Sequence, residues 1–117
     1  MSGIVFYATT NHDAVVEFYK DRLGMQTWLE QPDCTILERG NLLVGFCDRD
    51  RTDDGGIVTF VYPDREAVDD AHDRLADVAT EEPHENLTYN IYQFFATDPD
   101  GRTVECQAFL ADDVEPP

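Results

Sequence analysis

The chain has 117 residues and carries 25 acidic against 8 basic residues, a formal net charge of −17. Such a charge repels nucleic-acid phosphates and anionic lipid, so it argues against nucleic-acid and membrane partners. The length fits one domain, residues 1–117, with a hydrophobic core of its own. Aromatic and β-branched residues are frequent enough to fold an acidic chain that would otherwise be disordered.

The location of the protein is also predicted from composition. Lys20 is the only lysine, and a folded acidic domain of this kind is typical of salt-loving organisms, where molar salt screens self-repulsion. The N-terminus has no signal-peptide pattern, and the longest apolar run, residues 42–47, is too short to cross a bilayer. We therefore expect a soluble, cytoplasmic protein whose three cysteines, Cys34, Cys47 and Cys106, are free thiols buried in the core.

The first half of the chain has a strand, a helix and three further strands. The predicted helix follows Asn11 as N-cap, ends at Leu23 and is closed by Gly24 as the C′ glycine. Its buried stripe has helical spacing and comprises Val15, Phe18, Tyr19 and Leu23. The predicted strands are residues 4–9, 26–31, 35–39 and 42–47.

The second half repeats this order after a polar, glycine-ended linker at residues 48–56. A shift of the first half by 53 residues places Ile4 on Ile57 and Val15 on Val68, which indicates an internal duplication with repeats at about 4–47 and 57–110. Asp64 is the predicted N-cap of the second helix, which runs to about residue 79. The predicted strands are residues 57–61, 80–84 (a weak one), 91–97 and 103–109.

The last strand has two different faces. Residues 98–101, Asp-Pro-Asp-Gly, predict a tight β-turn before it. Alternation then places Val104, Cys106 and Ala108 on an apolar face that should meet a helix. The opposite face carries Thr103, Glu105, Gln107 and Phe109, a carboxylate and an amide beside an aromatic ring, as in the wall of a pocket.

Two of these segments resemble signatures of the vicinal oxygen chelate superfamily. Residues 18–25, Phe-Tyr-Lys-Asp-Arg-Leu-Gly-Met, resemble its helix-ending Phe-Tyr-x-x-x-Leu-Gly motif, and residues 98–101 with Glu105 resemble its final-strand motif. The superfamily includes glyoxalase I, extradiol dioxygenases, fosfomycin-resistance transferases and bleomycin-binding proteins. The resemblance implies an α+β fold in which two βαβββ modules form a cupped mixed sheet, with helices on its outer face, usually in a homodimer.

The resemblance also locates the positions at which metal-binding members carry their ligands. Those positions hold Ile4 and Ile57 in the two first strands and Val44 in the last strand of the first repeat, and only Glu105 is retained. A divalent cation needs three or more oxygen or nitrogen donors. We therefore expect no metal and no other cofactor. His12, His72 and His84 are far apart in sequence, lack ligand spacing and are expected to be surface or boundary residues.

The remaining pocket candidates are mostly apolar. Period-two alternation and the resemblance together assign ligand contacts to Ile4, Phe6, Trp28, Val44, Phe46, Ile57, Thr59, Tyr92, Phe94, Glu105 and Gln107. A hydrophobic wall with few polar groups is the usual composition of a small-molecule site. Another interpretation stays open, in which the aromatic side chains fill the cup and no ligand enters.

Two functions from different classes fit these residues. The first is a metal-free small-molecule-binding protein of the bleomycin-resistance kind, in which Glu105 pairs with a cationic group of an organic ligand. The alternative is a glyoxalase- or isomerase-like lyase that uses Glu105 as a general base or as a metal ligand. The sequence does not identify the ligand.

Overall fold

A computed structural model describes residues 1–117, which divide into two compact units. Unit 1 comprises residues 1–54 together with 99–101, and unit 2 comprises residues 55–98 and 102–117. The boundary after residue 54 lies in the segment that the sequence predicts as the linker. Each unit contains a four-stranded mixed sheet and one helix, so the predicted pair of βαβββ modules is confirmed.

Unit 1 has five elements, and its sheet has the order β1-β4-β3-β2, with β1 parallel to β4 and the other pairs antiparallel. They are β1 (Val5–Thr9), α1 (His12–Leu23), β2 (Gln26–Glu30), β3 (Cys34–Arg39) and β4 (Leu42–Asp48). The stripe predicted for α1 is buried in full. Gly24 ends the helix with φ of 68°, as expected for a C′ glycine. Arg39 Nη1 donates to the Leu23 carbonyl at 2.9 Å, which satisfies one of the unpaired carbonyls at the helix end.

Unit 2 repeats this topology, with sheet order β5-β8-β7-β6 and β5 parallel to β8. Its elements are β5 (Ile57–Val61), α2 (Arg65–Leu75), β6 (His84–Asn86), β7 (Ile91–Thr97) and β8 (Thr103–Phe109). The Asp64 side chain accepts a hydrogen bond from the Ala67 amide at 2.9 Å, so the predicted N-cap of α2 is confirmed. Neither helix has the length and apolar character required to span a membrane.

Two secondary-structure predictions need correction. The helix α2 ends at Leu75 instead of residue 79, and the Val78 and Ala79 amides both bond the Leu75 carbonyl in the turn that follows. The weak strand is residues 84–86 instead of 80–84, and Ala79 makes an isolated bridge to Ala96. The linker segment is anchored to unit 1, since the Asp53 side chain and backbone amide bond the backbone of Ala8 in the edge strand β1.

The prediction of three free thiols is wrong for two of the cysteines. Cys34 and Cys47 are directly opposite each other on β3 and β4, with their Cα atoms 4.1 Å apart, and they form a disulfide. The neighbouring Asp48 amide bonds the Asp33 carbonyl, so the cysteines occupy a non-hydrogen-bonded pair, where side chains approach most closely. Cys106 is outside the disulfide, and it is buried.

A buried ion pair joins the two ends of the turn between β7 and β8. Arg102 is fully buried, and its Nη1 lies 2.6 Å from Asp98 Oδ2. Asp98 Oδ1 also accepts the Arg102 amide at 2.9 Å, and Gly101 takes the left-handed conformation with φ of 81°. The predicted turn is therefore held by a side-chain pair that its sequence signature does not indicate.

We expect Arg102→Met to destabilise the fold by roughly 3–5 kcal/mol, because it leaves the Asp98 carboxylate buried without its cation. Urea unfolding measures this loss. The matched control is Arg51→Met, since Arg51 is exposed and forms only a long ion pair with Asp53, and its loss should stay under about 1 kcal/mol. Equal losses in the two variants would contradict the structural role of the buried pair.

Candidate functional site

The helix determines which face of each sheet can form a site. In unit 2, His72 of α2 packs edge-on against Phe94 with the ring centroids 5.0 Å apart, so even-numbered residues of β7 face the helix. On β8 the predicted apolar face of Val104, Cys106 and Ala108 is completely buried, as predicted. The odd-numbered residues of both strands therefore lie on the face away from the helix.

That second face of unit 2 contains a cavity of about 430 Å³, which is within the usual range for small-molecule sites. We call it the unit 2 cavity. It is lined by Ile57, Asn86, Tyr89, Ile91, Gln93, Phe95, Glu105, Gln107 and Phe109. Five of these side chains are aliphatic or aromatic, three are neutral amides and one is a carboxylate.

Glu105 is the only charged residue of the lining, and it is 8 % exposed. Thr59 Oγ1 donates to Glu105 Oε1 at 2.9 Å, and Gln93 Nε2 donates to Glu105 Oε2. Both carboxylate oxygens therefore accept hydrogen bonds from neutral donors, and no ion pair involves Glu105. Because two bonds on two different oxygens fix its plane, the carboxylate is held in one orientation in the cavity wall.

A second bond extends this network to the loop after β6. Asn86 Nδ2 donates to Gln93 Oε1 at 2.7 Å. The same Asn86 side chain accepts the backbone amides of Thr88 and Tyr89 through Oδ1, at 3.1 and 3.4 Å. Gln93 thus holds Glu105, and Asn86 holds Gln93. Through Asn86 the network also reaches the loop that contains Tyr89, a residue of the cavity lining.

Several predicted site residues lie on this face of unit 2. Ile57, Glu105 and Gln107 line the cavity, and Thr59 bonds Glu105. The assignments of Tyr92 and Phe94 to the pocket are wrong, because the register of β7 is displaced by one residue and both face α2. The cavity residues of β7 are Ile91, Gln93 and Phe95.

The turn between β7 and β8 contains the signal for the correct register. A hairpin centred on residue 100 pairs Phe95 with Glu105 and Gln93 with Gln107, as the structure has them. Directly opposite residues of antiparallel strands share a face, so Gln93 could have been identified from the turn position alone. No such signal identifies Asn86 and Tyr89. Asn86 ends the short strand β6, which the sequence predicts at the wrong residues, and Tyr89 lies in the loop after it.

The other predicted pocket residues belong to unit 1, and none of them lines the unit 2 cavity. Val44 and Phe46 were assigned to the wrong face, because Phe46 packs against Tyr19 of α1 with centroids 4.9 Å apart and Val44 is buried on the same side. Trp28 is half-exposed at a bulge of the edge strand β2. Ile4 precedes β1, and its side chain is exposed.

Unit 1 has a different pair at the positions that hold Thr59 and Glu105 in unit 2. In unit 2, Thr59 pairs with Glu105. The residue of unit 1 that corresponds to Thr59, at an offset of 53 residues, is Phe6, and it pairs with Gly45. A Cβ on Gly45 would overlap the Phe6 ring, so the ring occupies the space of the missing side chain. The metal-ligand position that the resemblance assigns to Val44 is therefore occupied by Gly45. Glycine has no side-chain donor atom.

The structure also permits a test of the metal site that the resemblance implies. No group of three or more His, Cys, Asp or Glu side chains is close enough to hold a metal ion. Beside Glu105 the neighbours are a hydroxyl and an amide nitrogen, both of which donate to the carboxylate. Glu105 is thus a single carboxylate without the further oxygen or nitrogen ligands that a divalent cation needs, so the residues present do not fit a divalent metal.

The histidines are placed at three separate positions. His12 is partly buried, a boundary position, and its Nε2 lies 3.0 Å from Thr35 Oγ1. His72 lies at the edge of the buried stripe, as expected. His84 begins β6 and is exposed. They form no common site.

Comparison with solved structures identifies the fold. No protein-family model matches the sequence, and no curated protein matches it. A glyoxalase/bleomycin resistance protein/dioxygenase family enzyme from Burkholderia phytofirmans PsJN aligns with a TM-score of 0.79 at 20 % identity, over 92 % of this chain and 97 % of that one. This chain has the glyoxalase/bleomycin-resistance fold. The superfamily fold implied by residues 18–25 and 98–105 is thereby confirmed.

Two other proteins with this fold show similar coverage. A glyoxalase/bleomycin resistance protein/dioxygenase from Nocardioides has a TM-score of 0.76 at 18 % identity, over 100 % of this chain and 87 % of that one. Lactoylglutathione lyase from Agrobacterium tumefaciens has a TM-score of 0.73 at 22 % identity, over 92 % of this chain and 91 % of that one. At these identities the likeness establishes the fold alone.

The contact between Phe6 and Gly45 predicts strong coupling between the two positions. Gly45→Ala should cost about 1–3 kcal/mol, because the new methyl group displaces the Phe6 ring. In a Phe6→Ala background the same change should cost less or become stabilising, because the overlap is gone and alanine suits a strand better than glycine. Urea unfolding of the four proteins in a double-mutant cycle measures the coupling. Additive effects would contradict the contact.

Tyr92 offers a prediction on the helix side of the sheet. Its hydroxyl donates to Asp69 Oδ1 at 2.7 Å, and this hydrogen bond, followed by burial, raises the pKa of Tyr92 above its usual value of 10.0. The stability that this bond contributes is present below about pH 10 and is lost as the pH rises through the pKa of the folded state.

Asp69→Ala should therefore lower the pKa of Tyr92, because it removes the acceptor that favours the neutral phenol. Ultraviolet titration of tyrosinate, with Tyr92→Phe used to identify the signal, measures the change. Asp70→Ala removes an exposed neighbouring carboxylate that does not bond Tyr92, and it is the matched control. An equal shift in both variants would show that general charge, and not the hydrogen bond, raises this pKa.

Proposed function

We propose that the chain is a metal-free small-molecule-binding protein whose binding site is the unit 2 cavity. The observation that carries the proposal is the buried Glu105 carboxylate, held by Thr59 and Gln93 in a wall that is otherwise neutral and largely apolar. A mostly hydrophobic cavity with a few oriented polar groups is the usual form of a site that binds an organic molecule. Ile57, Phe95 and Phe109 supply the apolar contacts.

The proposal of a metal-free site rests on the donor set. Glu105 is the one carboxylate of the cavity lining, and its counterpart in unit 1 is Gly45 with the Phe6 ring over it. Neither unit has a second carboxylate or imidazole at the matching positions. The site is therefore suited to recognising a ligand through shape and hydrogen bonds, and not through coordination.

A neutral fluorescent probe, N-phenyl-1-naphthylamine, tests whether the cavity binds organic molecules. We expect saturable binding at one site per chain, and a loss of about tenfold or more in Ile57→Trp, because the indole occupies space in the cavity that Ile57 lines. Ile57 is half-exposed, so the larger side chain does not disturb the core. Val5→Trp is the matched control, since Val5 is equally exposed on a strand of unit 1. Binding that is absent, or equal in the two variants, would overturn the proposed site.

The alternative is a glyoxalase- or isomerase-like lyase that uses Glu105 as a base or metal ligand. It is supported by the structural similarity to lactoylglutathione lyase. Metal analysis of protein purified in molar KCl, with and without added nickel, zinc or manganese, separates the two functions. Stoichiometric metal that is lost in Glu105→Ala would overturn the metal-free proposal and favour the lyase.

The homodimer, the salt-loving origin and the cytoplasmic location stay predictions. For the homodimer there is one supporting feature in unit 1, where Phe6 and Leu29 leave apolar surface on the face away from α1. Such surface is frequently covered by a second copy of the chain. Sedimentation in molar KCl that finds only monomer would contradict the dimer.

A further inference from the structure

The charge of Glu105 has no counter-charge in the protein. Its hydrogen-bond partners are the Thr59 hydroxyl and the Gln93 amide, and no lysine, arginine or histidine lines the unit 2 cavity. The other buried carboxylate of the chain, Asp98, is paired with the buried Arg102 guanidinium. Glu105 is therefore the one buried acid that is held by neutral groups alone.

A buried carboxylate without a cation is costly, because dipoles replace only part of the water that it loses. An ionised carboxylate has about four acceptor positions, and Thr59 and Gln93 occupy two of them. Gln93 is itself held by Asn86, so it cannot turn away to bond a ligand without breaking that bond. Acceptor capacity is thus available at Glu105, at the surface of a cavity that admits an organic molecule.

From these contacts we infer that the ligand of the unit 2 cavity is an organic monocation, an alkyl- or arylalkylammonium ion whose N–H groups donate to Glu105. The inference rests on the proposed function, because it assumes that the cavity binds small molecules. Its apolar part would contact Ile57, Phe95 and Phe109, and a charge-assisted bond to the carboxylate would fix its orientation. Gln107, which also lines the cavity, can accept a further N–H.

The charge of the whole chain favours the same class of ligand. With a net charge of −17 and no base in the cavity, an anionic compound such as a carboxylate or phosphate would meet repulsion both on approach and at Glu105. A neutral compound would leave the carboxylate without a counter-charge. A cation is attracted on approach and also supplies the counter-charge at Glu105. Among apolar molecules of equal size, charge therefore favours the cation.

Three indole compounds with similar shape and different charge test the inference. Tryptamine is a cation near neutral pH, tryptophol is neutral and indole-3-acetate is an anion. Calorimetric titration in molar KCl should show tryptamine binding about tenfold or more tighter than tryptophol, with indole-3-acetate the weakest. Molar salt screens the surface charge beyond about 3 Å, so the remaining preference reports on the buried carboxylate.

Glu105→Gln keeps the shape of the side chain and removes its charge, so the preference for tryptamine should fall to about twofold or less. The matched control, Asp73→Asn, makes the same change in net charge at an exposed residue of α2 and should leave the preference intact. Circular dichroism establishes whether each variant is folded. If Glu105→Gln does not fold, the order of the three compounds on the unmodified protein in molar KCl still decides.

The outcomes separate this inference from the proposed function. If tryptophol binds as tightly as tryptamine and both are lost in Ile57→Trp, the cavity binds small molecules but charge does not select them, and the inference fails alone. A tryptamine preference that persists in Glu105→Gln also overturns it. If none of the three compounds saturates while N-phenyl-1-naphthylamine still binds, the inference fails alone, and if that probe does not bind either, or if Ile57→Trp affects none of them, the proposed function fails as well.

Discussion

Each four-stranded sheet buries one face against a single helix, and this burial decides which residues remain for a site. In unit 2 the pairing of Phe94 with His72 and the burial of Val104, Cys106 and Ala108 assign one face to the core. Because side chains alternate along a strand, the opposite face is determined at the same time. Glu105 and its neighbours lie on the face that α2 does not cover.

The two modules share a topology and differ in what their second face contains. Unit 2 has a hydroxyl opposite a carboxylate, Thr59 and Glu105, and a cavity beside them. Unit 1 has an aromatic ring over a glycine at the matching positions, Phe6 and Gly45, which closes the same space with apolar atoms. The two units therefore share their backbone pairing, whereas the buried carboxylate and the cavity beside it are features of unit 2.

The two buried acids of unit 2 differ in the groups that compensate their burial. Asp98 has a guanidinium partner and bonds the backbone of its own turn, so it stabilises the hairpin. Glu105 has neutral donors only, and it lies at the wall of a cavity. The cost of burial is offset within the protein in the first case, whereas in the second we propose that a cationic ligand offsets it.

Local patterns in the sequence determined the order and bounds of most elements. Helical spacing with Gly24 and Asp64 identified α1 and the start of α2, and three strands of unit 2 lie where alternation predicts them. The same alternation identified the two faces of β8 and hence Glu105, since one of its faces is wholly apolar. These features depend on neighbours within a few residues, so a single sequence contains them.

Only the tertiary structure decided the faces of β4 and β7, the Cys34–Cys47 disulfide and the bonds of Asn86 and Gln93. Both faces of β4 and β7 contain apolar residues, so alternation alone does not tell which face meets the helix. That choice depends on the register with the partner strand and on the helix that covers it. The disulfide and the bonds of Asn86 and Gln93 join residues that come together only when the strands pair. No pattern of neighbouring residues in the sequence predicts them.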